Sequence, residues 1–227
     1  MKPRFLVYTD HPMCSMDCSD AVCEILNQSG LYKAKMIGPS SYSELEFNKE
    51  NIKKSECIVF PGGWGDSDQF DNDLIKHKSI VRNYVKNGGR YLGICMGSYF
   101  AGKHYFDILT GADAVQYIKR KNSSVKRSNH DIVELTWNNI DGYNTYFHDG
   151  AAFVPTHGTI PAKIIGKYKN GDAAAIIQPY KKGMVGVIGP HPEAMKWWFY
   201  SQPRITNEWK TSIQHDLFLD FVGKLMA

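Results

Sequence analysis

Long apolar runs are missing from this chain of 227 residues. The continuous apolar run near the N-terminus, Phe5–Tyr8, is too short for the core of a signal peptide. No stretch approaches the ~18 consecutive apolar residues that would span a membrane. We therefore expect a cytoplasmic protein that has no membrane partner. Because 43% of the residues are hydrophobic, the chain can bury one sizeable core, and we expect a single domain over residues 1–227.

The chain also has little excess charge of either sign and few cysteines. A formal net charge of +4 attracts anions only weakly, so the composition does not indicate a nucleic-acid partner. The five cysteines are an odd number, which favours free thiols over a disulfide framework. Cys14 and Cys18 lie four apart, but no second close Cys/His pair accompanies them, so we expect no metal and no other cofactor.

The first half of the chain alternates strand-like and helix-like segments. Strands are predicted at Arg4–Thr9, Tyr32–Ile37, Cys57–Phe60 and Arg90–Ile94, with helices at about Ser15–Gln28 and around Leu74–Val85. This alternation predicts a parallel, doubly wound α/β sheet. Reactive groups gather beyond the carboxyl ends of such strands, so the loops Asp10–Cys14 and Pro61–Asp66 should share one rim with Cys95.

The second half has shorter strand-like segments punctuated by glycine. They are Ile132–Trp137, Tyr143–Phe147, Ile164–Tyr168, Ala173–Ile177 and Met184–Ile188. We predict that they form an antiparallel extension of the same sheet. A closing helix is predicted from about Asn207 to Leu225, with an apolar stripe at four-residue steps that docks on the sheet: Trp209, Ile213, Leu217, Phe221 and Leu225.

Cys95 stands between two glycines at the end of a predicted strand, in the run Gly93–Gly97. This pattern is typical of a nucleophile elbow, in which a sharp turn presents the reactive side chain at the start of a helix. The positive end of that helix favours the thiolate over the thiol. The alternative is that Cys95 is a small buried hydrophobe, which is common for free cysteines.

A cysteine nucleophile needs a base, and the base needs an orienting acceptor. His191 and Glu193 supply this pair, since residues two apart in an extended segment face the same way. If His191 pairs with Cys95, the thiol should ionise near or below neutral pH. The alternative is a surface turn that carries an ordinary histidine.

Glycines after the third predicted strand allow backbone N–H groups to face a developing oxyanion. We predict that Gly62, Gly63 and the Met96 N–H form this oxyanion hole, although an ordinary tight turn explains the glycine pair in isolation. Four further residues are candidates for substrate binding: Trp64, Tyr99, Asp10 and Asp149.

Three motifs, Phe60–Gly63, Gly93–Ala101 and Gly189–Glu193, resemble the class I glutamine amidotransferase-like superfamily. Within it, the Cys-x-Gly-x-Tyr-Phe-Ala and Gly-Pro-His-Pro-Glu runs are similar to the family called biotin–protein ligase, N-terminal domain, which includes free-standing bacterial proteins. The resemblance implies a flavodoxin-like three-layer sandwich with a mostly parallel central sheet. It also implies a catalytic triad of Cys95, His191 and Glu193.

The chain departs from these families at informative positions. Tyr99 stands where glutaminase domains usually carry a substrate-contacting glutamine, so we expect a substrate other than free glutamine alone. His148 and Asp149 replace residues of the ligase family's aromatic, glycine-rich stretch. The Gly-Arg-Gly-Arg type of ligase loop is absent from the sequence, so we expect no biotin ligation by this chain alone.

These features together predict a cysteine amidohydrolase that acts on a small-molecule or other amide substrate through a thioester. The alternative is a non-catalytic ligand-binding or regulatory domain. A homodimer or a separate acceptor protein is the expected macromolecular partner. Cys14 is either a redox partner of Cys95 or a spectator thiol. The aromatic segment Trp197–Tyr200 is a lid, a dimer surface or part of the packed core.

Overall fold

The computed structural model describes residues 2–39, 41–209 and 213–227. The strands are β1 (Arg4–Tyr8), β2 (Lys33–Ile37), β3 (Cys57–Phe60), β4 (Arg90–Ile94), β5 (Ala112–Gln116), β6 (Asp131–Trp137), β7 (Ile140–Phe147), β8 (Ala151–Pro155), β9 (Lys163–Tyr168), β10 (Ala173–Tyr180) and β11 (Gly183–Ile188). The α-helices are α1 (Met16–Gln28), α2 (Lys49–Ile52), α3 (Asp71–Lys86), α4 (Met96–Phe100), α5 (Lys196–Tyr200) and α6 (Ile213–Met226).

The strands form one mixed sheet in the order β2-β1-β3-β4-β11-β10-β9-β6-β7, with β8 joined to β10 and β5 joined to β8. The four pairs β2-β1, β1-β3, β3-β4 and β4-β11 are parallel. The remaining pairs are antiparallel. The predicted α/β fold, parallel first and antiparallel later, is therefore confirmed.

Helices cover both faces of the parallel part because its strands are apolar on both sides. Phe5 and Val7 of β1 pack in the same cluster as residues of α1 and α6. Leu6 and Tyr8 point the other way, into the cluster that holds the buried residues of α3. The continuous apolar run that predicted a doubly buried strand is thus explained by helices on each side.

One strand differs from its predicted place. β11 was expected to belong to the antiparallel extension, but it pairs in parallel with β4 and only its other edge pairs antiparallel with β10. The apolar pattern of β11 indicates burial on both faces and carries no information about which strand lies beside it. β5 and β8 were not predicted, because their short segments carry a weak strand pattern.

The closing helix begins later than predicted. Residues 206–208 form a short 3₁₀ turn, Trp209 is extended, and α6 is described from Ile213 onward. The predicted start at Asn207 is therefore wrong, and residues 210–212 of the predicted helix lie outside the described residues. Leu217, Phe221 and Leu225 are buried as the stripe predicted, whereas Ile213 is exposed. Among the described helices, none is long and apolar enough to cross a membrane.

Candidate active site

Cys95 occupies a strained turn between β4 and α4. Its φ of 48° and ψ of −106° lie where few residues other than glycine are found. The strained backbone angles are those of the cysteine, whereas the flanking glycines allow neighbouring backbone segments to pack closely. A Cβ at Gly97 would lie 1.7 Å from the carbonyl oxygen of Phe60, and one at Gly93 would lie 2.4 Å from that of Gly97. The backbone therefore has the elbow geometry predicted from the motif.

The helix after the elbow is only the five residues of α4. The Met96 N–H has no hydrogen-bond partner among the described residues. The thiol of Cys95 contacts the backbone oxygen of His148, with 3.4 Å between Sγ and O. Cys95 itself is buried, with 6% of its surface exposed.

His191 and Glu193 lie beside Cys95 because β11 pairs with β4. The register matches Ile188 with Ile94, and the Cys95 N–H donates to the Ile188 oxygen at 2.9 Å. The segment after β11 therefore emerges next to the elbow. Nδ1 of His191 lies 2.8 Å from Oε1 of Glu193, and both residues are buried.

Burial lowers the pKa of His191, but its electrostatic interactions with Cys95 and Glu193 raise it more, to about 10. Because Nδ1 faces the carboxylate, Nε2 is the ring nitrogen left for Cys95. The second carboxylate oxygen of Glu193 is buried without a hydrogen-bond partner among the described residues. The other oxygen of Glu193 therefore holds the His191 ring by Nδ1.

A backbone hydrogen bond to Ser15 holds the loop after β3 that contains Gly62 and Gly63, which we call the glycine loop. The Gly62 oxygen accepts from the Ser15 N–H at 2.9 Å. Because the peptide group is planar and trans, the Gly63 N–H points the opposite way. No described residue accepts a hydrogen bond from that N–H. Gly62 has another visible role, since a Cβ there would come within 2.6 Å of Cε1 of His191.

Two neighbouring cavities meet at the site. Cys95, Met96, Tyr99, Gln116, Lys119 and Asp149 line the larger one, which we call the polar cavity. Cys18, Tyr146, His191, Trp197 and Trp198 line the smaller one, the aromatic cavity. Gly63, Trp64 and His148 line both.

The predicted substrate-binding residues divide between these places. Trp64 stands between the cavities and is 43% exposed. The Tyr99 hydroxyl donates to the Asp149 backbone oxygen at 3.1 Å, and the Asp149 carboxylate accepts from Gln116 at 2.9 Å. Asp10 instead accepts from the Tyr8 hydroxyl, and it lines neither cavity.

Sequence reasoning missed three side chains at the site: Cys18, His130 and His148. Burial lowers the pKa of His148 to about 4, helped by the charges of His130 and His191. Only the aromatic composition of the segment around His148 hinted at its place. Cys18 is a second cysteine close to His191, whereas the Cys14 thiol points at the Pro61 oxygen.

Cys18, His191 and Glu193 bring a sulfur, a nitrogen and an oxygen within 4.8 Å of one another. These are donor types that zinc accepts, and metal binding there would compete with the hydrogen bond between His191 and Glu193. Burial and then the charge of Glu193 raise the pKa of the Cys18 thiol well above its usual range.

The elbow and the glycine loop lie in the part of the chain that matches a known family. Residues 5–116 match Biotin-protein ligase, N terminal. The resemblance indicated by the motifs is confirmed. His191 and Glu193 lie beyond the segment that matches the biotin-protein ligase N-terminal family. Over 161 residues, 60% of this chain, the sequence is 28% identical to the biotin–protein ligase of Schizosaccharomyces pombe. The chain spans only 25% of the length of that ligase.

Solved structures support the fold. PurLQS from Thermotoga maritima superposes with a TM-score of 0.62 at 16% identity, covering 99% of this chain and 100% of the other. A glutamine amidotransferase superposes with a TM-score of 0.59 at 14% identity, covering 96% of this chain and 98% of the other. At such identities the similarity concerns the fold alone. The glutamine amidotransferase-like architecture expected from the resemblance is therefore confirmed.

Proposed function

We propose that this chain is a cysteine-dependent amidohydrolase with Cys95 as nucleophile, His191 as acid and base, and Glu193 as the group that orients His191. The observation that carries the proposal is the strained Cys95 elbow beside a buried His191 whose Nδ1 lies 2.8 Å from Glu193. A strained nonglycine residue costs free energy, and such strain clusters at functional sites.

In the first step, the Cys95 thiolate attacks the amide carbonyl carbon and the carbonyl oxygen becomes an oxyanion. The N–H groups of Gly63 and Met96, unpaired among the described residues, stabilise it. The carbon–nitrogen bond then breaks, and the His191 imidazolium gives its proton to the departing amine. A thioester remains on Cys95.

In the second step, neutral His191 takes a proton from water as the water oxygen attacks the thioester carbon. The carbon–sulfur bond breaks, the carboxylic acid leaves, and the thiolate beside the imidazolium is restored. Glu193 keeps Nδ1 bonded throughout, which holds the ring in the tautomer that exposes Nε2.

Covalent labelling tests the proposal. The protein is incubated with a diazo-oxo-norleucine and, separately, with a panel of amides, and the amide reactions are quenched in acid. We expect the diazo-oxo-norleucine and the acyl groups of amides to add to Cys95. Intact mass and peptide mapping detect these adducts. Absence of any adduct, in protein whose Cys95 still reacts with iodoacetamide, would contradict it. That outcome would favour the alternative of a ligand-binding or regulatory domain related to the N-terminal region of biotin–protein ligases.

The pH dependence follows from the raised pKa of His191. Protonated His191 is the acid, so kcat/KM should fall as pH rises through about 10. Because the charge and hydrogen bond of Glu193 help to raise this pKa, Glu193→Gln should move the fall to lower pH. The measurement is kcat/KM against pH for both proteins. An unchanged basic limb in Glu193→Gln would show that this carboxylate does not act on His191.

We further propose that the chain acts as a single domain, with an amide substrate as its primary partner and with a homodimer or an acceptor protein as its macromolecular partner. A cytoplasmic location stays a prediction from the sequence. Gel filtration with light scattering measures the oligomeric state directly.

A further inference from the structure

The two cavities adjoin at Gly63, Trp64 and His148, and they divide the proposed reacting groups between them. Cys95 lines the polar cavity and not the aromatic one, whereas His191 lines the aromatic cavity and not the polar one. During acyl transfer, the sulfur bonds to the carbonyl carbon and the imidazole reaches the nitrogen. This inference rests on the proposed function. It places the acyl group in the polar cavity and the departing amine in the aromatic cavity.

The aromatic cavity has walls suited to a ring. The Trp198 and Tyr146 rings contact His191 edge-on, with centroids 5.5 and 6.0 Å from the imidazole. Trp64 meets His148 in the same way at 5.3 Å. Edge-to-face packing of this kind is the arrangement that aromatic rings prefer with one another.

The size of the cavity agrees with a site for a ring. Its volume is about 130 Å³, close to the ~150 Å³ of an apolar cavity that binds benzene. Burial lowers the pKa values of His130 and His148 on its wall, whereas the Asp17 side chain and protonated His191 also line it.

We propose that the substrate is an N-substituted amide whose nitrogen carries an aromatic or similar ring, held in the aromatic cavity beside His191. The primary carboxamide of glutamine lacks such a ring. The polar cavity, with the Lys119 side chain and the Asp149 carboxylate on its walls, then receives the acyl group. One oxygen of Asp149 is buried without a partner among the described residues, which leaves it available to a donor on that group.

Amides that share an acyl group and differ only at nitrogen test the proposal. We would compare acetamide with N-benzylacetamide, and glutamine with γ-glutamylbenzylamide, by release of ammonia or benzylamine. We expect kcat/KM for the benzyl amides to exceed that for the primary amides at least tenfold. Equal or faster turnover of the primary amides would overturn the inference while leaving the proposed function intact.

Trp197 and Tyr200 provide matched variants. Both are exposed aromatic residues of α5, at 52% and 53%, but only Trp197 lines the aromatic cavity. Trp197→Ala should lower kcat/KM for the benzyl amides at least threefold more than for the primary amides, whereas Tyr200→Ala should change neither. An equal loss on both amide classes in Trp197→Ala would contradict a ring site.

A binding measurement separates the two hypotheses. Benzylamine should quench tryptophan fluorescence in the wild type more strongly than methylamine does, and Trp197→Ala should weaken its binding. If no amide acylates Cys95, the proposed function fails, and with it the role of this cavity as a leaving-group site. If amides do acylate Cys95 but benzylamine does not bind, only the present inference fails.

Discussion

Cys95→Ala is expected to lower amide hydrolysis by at least about a thousandfold, because the variant has no atom that can form the thioester. Residual hydrolysis would come from the oxyanion donors and from substrate positioning alone. The replacement removes a single buried sulfur, so the fold should persist. Turnover of benzyl and primary amides, together with thermal unfolding, measures both effects.

Cys23→Ala is the matched control for that experiment. Cys23 is a half-buried free thiol on α1 and lines neither cavity at the site. Its replacement should leave turnover within about twofold of wild type. A Cys95→Ala protein that keeps more than a tenth of the activity would show that the chemistry occurs elsewhere.

Gly97→Ala is expected to cost about 3 kcal/mol or more of the free energy of unfolding. Its Cβ would lie 1.7 Å from the Phe60 carbonyl oxygen, and 2.6 Å from the carbon bonded to that oxygen. These are backbone atoms of β3, so no side-chain rotation relieves the clash, and α4 must move away from β3. For a chain of this size, each kcal/mol shifts the melting temperature by roughly 2–4 °C.

The same movement should impair the site. The Gly97 N–H donates to the Pro61 oxygen at 3.3 Å, so separating α4 from β3 pulls Met96 away from the glycine loop. Any folded fraction of Gly97→Ala should therefore also lose labelling of Cys95. Chemical denaturation and labelling of the same preparation measure both losses.

Gly223→Ala is the control for the glycine change. Gly223 lies in α6, and a Cβ there would have no heavy atom within 4 Å among its described surroundings. Alanine in a helix is favoured over glycine by roughly 0.5–1 kcal/mol, so this variant should be slightly more stable than wild type. If Gly97→Ala were as stable as Gly223→Ala, the close packing of α4 on β3 would be wrong.

The local features of the site could be predicted because they depend on near neighbours in sequence. Two glycines around a cysteine at a strand end indicated the elbow, and the spacing of His191 and Glu193 indicated a hydrogen-bonded pair. The structure has Cys95 at a φ of 48° and the pair at 2.8 Å. The parallel first half was equally predictable, since continuous apolar strands alternate with amphipathic helices.

Features that depend on distant pairing could not be predicted. Nothing in the apolar run of β11 states that its partner is β4, yet that pairing places His191 beside Cys95. The apolar periodicity also failed to predict the later start of α6, because it does not detect the turn at residues 206–208.

By itself, the sequence determined the α/β class, the elbow and the types of side chain available for chemistry, because backbone sterics and hydrophobic periodicity act locally. Only the tertiary structure decided which groups meet. His148, Trp64 and Trp198 come from three separate segments, and they line one cavity with His191 because the sheet and α5 bring those segments together. Long-range contacts of this kind have no local signature, so the two cavities could not be predicted from the sequence.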